Sequence, residues 1–186
     1  MTQPRFVHLR VHTDFSMIDG IAKVKPLVKA CAENNMVAMA LTDFTNFCGV
    51  VRFYGEALSS GIKPIIGTDV LVKSAMFGDE PFELTLLAKN NAGYKNITLL
   101  LSKAYQRGYV DLPCIDQDWL IEHREGVIIL SGGTKGDVGK KLLKENLAET
   151  ESAVKFYQEF FPDHFYSEHR CAAHHVDLLD DRGDLS

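Results

Sequence analysis

The sequence has few of the features that mark secreted, membrane-bound or zinc-binding proteins. Its cysteines, at positions 31, 48, 114 and 171, are far apart, and no two form a C-x-x-C pair. This spacing excludes a zinc ribbon and a thioredoxin-like motif, and it favours buried reduced thiols. No apolar run approaches the roughly 20 residues that cross a bilayer, and the first residues lack the apolar segment of a signal peptide. We therefore expect a cytoplasmic protein without membrane contact.

The chain also lacks an excess of basic residues. Lys and Arg number 20 against 25 Asp and Glu, which gives a formal net charge of −5. A main duplex-DNA surface would usually be basic, so this segment is not expected to be one, although other parts of a larger molecule could still contact DNA. The 186 residues, 46% of them hydrophobic, are enough for one domain with a sizeable core.

Apolar residues alternate along the chain between short strand-like runs and amphipathic helix-like stretches. This alternation predicts an α/β fold, either a parallel sheet covered by helices or a β/α barrel. In both architectures the chemistry lies at the carboxyl ends of the strands. We expect strands at residues 6–11, 36–41, 64–72, 82–88 and 127–130, and helices at 24–35, 46–59, 90–105, 116–122 and, on both sides of Asn146, within 140–160.

The segment that begins at His8 is the most informative part of the sequence. Residues two apart on a strand share a face, so His8, Arg10 and His12 are expected to point one way, and Leu9 and Val11 into the core. Two imidazoles at a strand end, followed by an Asp-Gly turn, are typical of an enzymatic metal site. A guanidinium stays protonated and cannot bind a metal ion, so the arginine indicates a damaged site.

Six stretches of the chain, in order, together carry a resemblance. They are F-V-H-L-R-V-H-T-D-F-S-M-I-D-G from Phe6, A-L-T-D-F-T-N-F-C-G from Ala40, G-I-K-P-I-I-G from Gly61, L-L-A-K-N-N-A-G-Y-K-N from Leu86, S-K-A-Y-Q-R-G from Ser102 and I-L-S-G-G from Ile129. They resemble the PHP (polymerase and histidinol phosphatase) domain family, and within it the version that opens the α subunits of bacterial replicative DNA polymerases of the polymerase III class. The resemblance runs from Arg5 to about Tyr166.

The resemblance implies a distorted β/α barrel of the PHP type, with up to three metal ions at the strand ends. Active members of the family hydrolyse phosphoesters, and in some polymerases the domain is a metal-dependent 3′–5′ exonuclease. The polymerase version implies a role in DNA replication, with the proofreading exonuclease subunit and other holoenzyme subunits as partners. DNA would be bound, and Mg²⁺ used, by the full-length polymerase, whose catalytic carboxylates do not occur in this chain.

Several positions of the family's site carry a different residue type here. Arg10 stands where the family has its first histidine, and Phe44 stands where it has the histidine of a T-D-H motif. Asp69 replaces a glutamate, and Glu83 replaces a histidine. The site positions that follow from the resemblance are Arg10, His12, Asp19, Asp43, Phe44, Asp69 and Glu83.

Two of these differences remove metal-binding nitrogens, since Phe44 has no lone pair and Arg10 carries a fixed positive charge. A buried acid cluster needs a cation, so we expect Arg10 to pair with Asp19, Asp43 or Asp69 in place of a metal ion. The site is therefore predicted to be degenerate, and the segment to be a structural and docking scaffold.

An alternative remains open, because His12, Asp19 and Glu83 could still hold one divalent ion such as Zn²⁺, Mn²⁺ or Mg²⁺. The domain would then be an active phosphoesterase, working as an exonuclease or a pyrophosphatase.

The barrel is expected to be incomplete at its C-terminus, because a β/α barrel usually needs roughly 200 residues or more. Residues 1–166 are expected to form the N-terminal part of the domain, and residues 167–186 an atypical polar tail. A frameshifted or prematurely ended reading frame would explain that tail. A third hypothesis follows, in which a truncated product folds poorly because an open barrel leaves strand edges exposed.

Overall fold

The computed structural model describes residues 6–17, 19–74, 78–109 and 111–168. Every predicted helix and strand after residue 20 is present, with ends that differ by a few residues. The helices are α1 (Val24–Glu33), α2 (Val50–Ser59), α3 (Asn91–Arg107), α4 (Gln117–Glu122), α5 (Asp137–Leu143) and α6 (Leu147–Phe160). The strands are β1 (Ala38–Leu41), β2 (Lys63–Ser74), β3 (Gly78–Ala88), β4 (Cys114–Asp116), β5 (Val127–Leu130) and β6 (Phe165–Tyr166), of which β4 and β6 were not predicted.

These strands form one mixed sheet in the order β1-β2-β3-β5-β6, with β4 beside β2. Strands β1 and β4 run parallel to β2, and β6 runs parallel to β5, whereas β3 is antiparallel to both β2 and β5. The expectation of a fully parallel sheet is wrong at this point, because too few residues separate β2 from β3 for the crossover that a parallel pair needs. The α/β class and the unclosed barrel are confirmed, since within the described residues the sheet is open.

The segment before residue 13 lies beside β1 but is not a regular strand. Ala40 N donates to His8 O at 2.8 Å, and Thr42 N donates to Val11 O at 2.9 Å. The two donors, Ala40 and Thr42, are two residues apart, whereas the two acceptors are three residues apart, so the first segment carries one extra residue, as in a β-bulge. An extra residue breaks the alternation of side chains, and Leu9, expected in the core, is 43% exposed.

The core consists of two main groups of buried side chains. One group packs α1 and α2 on β1, with Phe53 and Met39 both 0% exposed. The other packs α3, α4 and α6 on the remaining strands, with Leu84, Ile97 and Tyr157 also at 0%. Burial of each large apolar side chain contributes roughly 1.5–3 kcal/mol, and this rigid support holds the strand ends that carry the polar residues.

Helix α3 begins in close contact with the loop before β5. A Cβ atom added to Gly93 would lie 1.8 Å from the Gly126 carbonyl oxygen. The Asn90 side chain caps the helix by accepting a hydrogen bond from Gly93 N at 3.0 Å, and Lys89 N donates to Gly126 O at 2.9 Å. Glycine is therefore required at position 93, whereas a Cβ added to Gly55 in α2 would meet nothing within 4 Å.

The prediction of buried thiols is confirmed for Cys31 and Cys114 and is wrong for Cys48, which is exposed. Burial raises the pKa of both the Cys31 and Cys114 thiols. Cys171 lies outside the described residues, as does the predicted tail from position 169 onward. Among the helices that the structure describes, none combines the length and the apolar character that a membrane span requires.

Candidate functional site

Asp69 is the buried centre of the candidate site. It lies on β2, and its side chain is 0% exposed. Its Oδ2 accepts a hydrogen bond from Arg10 Nε at 2.5 Å and lies 2.8 Å from His12 Nε2. Its Oδ1 accepts from Thr85 Oγ1 at 2.5 Å. Three side chains from the N-terminal segment and β3 therefore use both oxygens of this carboxylate.

The Arg10 guanidinium joins Asp69 to a second carboxylate. Its Nη2 donates to Glu83 Oε2 at 3.0 Å, and Lys135 Nζ donates to the other Glu83 oxygen at 2.9 Å. Burial lowers the pKa of Arg10, but the charge of Asp69 and its hydrogen bond more than offset burial, so the pKa lies above its ordinary value. The site therefore contains a permanent internal cation.

His12 lies between two carboxylates. Its Nδ1 is 2.8 Å from Asp19 Oδ2, and its Nε2 is 2.8 Å from Asp69 Oδ2. Both nitrogens can donate together only in the protonated ring. Burial lowers the pKa of His12, while its contacts with Asp69, and then those with Asp19, raise the pKa above the ordinary value of 6.5. The geometry therefore favours an imidazolium that links the Asp-Gly turn to β2.

Asp43 has a different role from Asp69. It is 1% exposed, and its carboxylate accepts hydrogen bonds from Thr13 N at 2.6 Å, Thr13 Oγ1 at 2.9 Å and Ser16 Oγ at 3.1 Å. Ser16 Oγ in turn accepts from Phe44 N at 2.9 Å. These bonds attach the turn after the N-terminal segment to the end of β1, so Asp43 is satisfied by structural partners and not by the guanidinium.

The backbone next to the site contains an unusual residue. Thr45 has a φ of 53°, a left-handed conformation that β-branched residues rarely adopt. Its N–H donates to Asp69 O at 2.7 Å, and Asp69 N donates to Thr42 O at 3.2 Å. Such a conformation costs roughly 1–3 kcal/mol and persists only where the surroundings enforce it. The chain after β1 is thus held against β2 at the position of Asp69.

The predicted site residues lie near one another but fall into two groups. Asp43 and Phe44 bond to the turn, and the remaining residues form the charge network. The expectation that Arg10 pairs with a nearby aspartate holds for Asp69 and not for Asp19 or Asp43. The network consists of Arg10, His12, Asp19, Asp69 and Glu83, with Thr85 and Lys135 as further members.

The predicted metal ligands are only partly brought together. His12 contacts Asp19, but Glu83 is bonded to Arg10 and Lys135. Within the ranges that the structure describes, no three His, Cys, Asp or Glu side chains are grouped so as to hold a metal ion. Of the three predicted ligands, Glu83 is the one that the Arg10 guanidinium contacts, through its Oε2. Metal binding by the predicted set stays a prediction.

Sequence reasoning missed three features of this region. Thr85 follows Glu83 by two residues on β3, so the period-two pattern of a strand could have placed both on one face. Lys135 belongs to a Gly-rich turn for which no ionic role was foreseen. His8, expected on the face of Arg10, is exposed and packs on Phe6, with ring centroids 4.8 Å apart.

A second buried charged group lies between α5 and α6. Asp137 is 3% exposed, Lys141 is 6% exposed, and Lys141 Nζ lies 3.9 Å from Asp137 Oδ2. Burial raises the pKa of Asp137 and lowers that of Lys141, and it raises the pKa of Tyr157 well above 10.0. Asp137 and Lys141 are four residues apart on α5 and Tyr157 is on α6, and the group is separate from the Asp69 network.

Comparison with known proteins decides the family. A model of the PHP domain matches residues 8–170. The chain belongs to the PHP domain family. This PHP domain therefore contains the bulge, the charge network around Asp69 and the turn that is bonded to Asp43.

Among curated proteins, this PHP domain is similar to DNA polymerase III α subunits. It is 82% identical over 165 residues to that of Haemophilus influenzae, a match that covers 89% of this chain and 14% of the relative. The identity is 60% over 169 residues for Vibrio cholerae and 59% over 169 residues for Escherichia coli, covering 90% of this chain and 15% of each relative. The chain thus spans about one seventh of the length of these relatives.

Proposed function

We propose that this PHP domain is part of the α subunit of a bacterial replicative DNA polymerase in the cytoplasm. In DNA replication it would serve as a structural and docking scaffold, and not as a phosphoesterase. The observation that carries the scaffold role is the pair of bonds from Arg10 to Asp69 and Glu83. A permanent cation on these carboxylates supplies the positive charge that a metal ion would otherwise provide. The similarity to polymerase α subunits supports the replication context.

The direct test measures metal content and hydrolysis on the purified 186-residue chain. Mass spectrometry after incubation with Mn²⁺ or Zn²⁺ should find far less than one ion per chain, and a 3′–5′ phosphodiesterase assay should show no turnover. The double variant Arg10→His/Phe44→His supplies two further imidazoles and serves as the comparison, with increased metal binding expected. Stoichiometric metal in the wild-type chain, with turnover that His12→Ala abolishes, would overturn the scaffold role.

One observation favours the alternative of an active metal-dependent phosphoesterase. His12 Nδ1 and Asp19 Oδ2, which belong to two of the predicted ligands, lie 2.8 Å apart. Glu83 would complete a three-ligand set for one divalent ion if it left Arg10 and Lys135. Thermal unfolding with and without a chelator separates the two functions. A large fall in the unfolding midpoint with chelator supports the phosphoesterase, and an unchanged midpoint supports the scaffold.

The docking part of the proposal names the proofreading exonuclease subunit as partner. It is supported by the outer face of α2, where Val51 is 82%, Tyr54 is 50% and Leu58 is 55% exposed. Their spacing of three and four residues places these side chains on one face of the helix, and contiguous exposed apolar surface is typical of interaction sites.

Surface plasmon resonance with the purified exonuclease subunit tests this docking. Val51→Lys should weaken binding at least tenfold, whereas Leu143→Lys, at a 68% exposed position on α5, should leave it unchanged. Equal binding by wild type and Val51→Lys would reject the α2 face, and no binding by the wild type would reject the partner.

A further inference from the structure

One cavity is bordered by the N-terminal segment, which lies beside β1 at one end of the open sheet, and by β6 at the other end. Its volume is about 770 Å³, and its wall includes Arg10 from the N-terminal segment, Ile65 from β2 and Leu130 from β5. Tyr166 of β6 and the following Glu168 line it as well. Strand pairing leaves these two ends of the sheet unconnected within the described residues, so a contact across the cavity would join them.

Arg10 has one nitrogen that its known partners do not use. Nε and Nη2 donate to Asp69 and Glu83, while Nη1 is buried and has no hydrogen-bond partner among the described residues. A buried, unpaired donor on a charged group is costly. The guanidinium therefore has the capacity for a third anionic partner.

Glu168 has the complementary property. Its backbone N–H donates to Ser131 Oγ at 2.9 Å, and Ser131 N donates to Tyr166 O at 3.0 Å. These bonds continue the β5–β6 pairing and hold the backbone of Glu168 in place. Its Oε2 is buried and has no hydrogen-bond partner among the described residues. A buried acceptor of negative charge and a buried donor of positive charge thus line the same cavity.

We propose that Glu168 is a positioning residue of the Arg10 site. The negative charge of its carboxylate acts on the free side of the Arg10 guanidinium, helps to hold the other two nitrogens on Asp69 and Glu83, and couples the two ends of the sheet. Burial lowers the pKa of Arg10, and Asp69 raises it most. The charge of Glu168 makes a further, smaller contribution that also raises the pKa of Arg10. The inference rests on the proposed function in that it adds a residue to the same charge network.

A double-mutant cycle in urea unfolding of the 186-residue chain tests this pairing. Glu168→Gln should raise the unfolding equilibrium constant about tenfold in the wild-type background. It should raise the constant less than threefold in an Arg10→Lys background, because the lysine keeps the charge but lacks Nη1. Glu159→Gln, at an exposed position on α6, should change the constant less than twofold in both backgrounds.

A second cycle identifies the cation. Lys63 lines the same cavity and is exposed, so Glu168→Gln should keep its full effect in a Lys63→Met background. Equal effects of Glu168→Gln in the wild-type and Arg10→Lys backgrounds would overturn the pairing, and so would a loss of the effect in Lys63→Met. The metal assay does not depend on Glu168. Bound metal together with the expected coupling between Glu168 and Arg10 would therefore refute the scaffold role but support the interaction of these two residues.

Discussion

Replacement of Arg10 by methionine is expected to destabilise the domain strongly. The change removes the bonds of 2.5 Å to Asp69 and 3.0 Å to Glu83, and the Asp69 side chain is 0% exposed. Removing one partner of a buried ion pair costs about 3–5 kcal/mol. Asp69 keeps His12 and Thr85, so we expect a loss near the lower limit, about 3 kcal/mol.

The loss can be measured by urea and thermal unfolding followed by circular dichroism. For a chain of this size about 3 kcal/mol corresponds to a fall in Tm of roughly 6–12 °C. Arg107→Met, at an exposed position in the last turn of α3, is the control and should cost less than about 1 kcal/mol, the range of a helix-dipole interaction. Arg10→Lys, which keeps the charge but not both hydrogen bonds, should lie between the two. A free energy of unfolding for Arg10→Met within about 0.5 kcal/mol of the wild-type value would show that the guanidinium does not compensate these carboxylates.

Three further predictions concern other residues. Because the pKa of His12 is raised in the folded protein, its protonated form stabilises the fold fully below about pH 6.5, and this stabilisation is lost as the pH rises through the folded pKa. The difference in free energy of unfolding between wild type and His12→Gln should therefore shrink from pH 6 to pH 9. A difference that stays constant over this range would contradict the prediction. Lys141→Met should lower the free energy of unfolding by about 3 kcal/mol, because Asp137 stays buried without its cation. Adding Asp137→Leu should recover most of this loss in urea unfolding, and no recovery would refute the ion pair. Gly93→Ala should lower the free energy of unfolding by more than about 3 kcal/mol, because its Cβ would clash with the Gly126 carbonyl oxygen. The control Gly55→Ala should be neutral or stabilise by up to about 1 kcal/mol. Similar thermal midpoints for the two variants would refute the close approach at Gly93.

The sequence predicts an element well where its boundaries are local. Strand β5 is found at residues 127–130 as expected, because an apolar run lies between glycine-containing turns. The two helices around Asn146 also occur, and its side chain caps α6 by accepting from Glu149 N at 3.2 Å. Strands β4 and β6 could not be predicted, because two or three residues form a strand only through pairing with distant β2 and β5.

The candidate site shows the same limit. The family resemblance placed Arg10 in one site with Asp19, Asp43 and Asp69, but which of these carboxylates binds the guanidinium depends on long-range bonds. Asp43 is unavailable to it because Thr13 and Ser16 already occupy that carboxylate. The bulge near Leu9 was also invisible in the sequence, because it is defined only by the hydrogen bonds to β1.

The shared attachment of Arg10 to two carboxylates also constrains how this domain can change during evolution. A lineage that replaced Arg10 by histidine alone would pass through a form in which Asp69 and Glu83 lose their cation, while Phe44 still offers no nitrogen to a metal ion. A lineage that replaced Phe44 alone would gain an imidazole beside a site already neutralised by the guanidinium. Neither single step is therefore expected to produce a metal site, so a change to metal binding is expected to need both substitutions together.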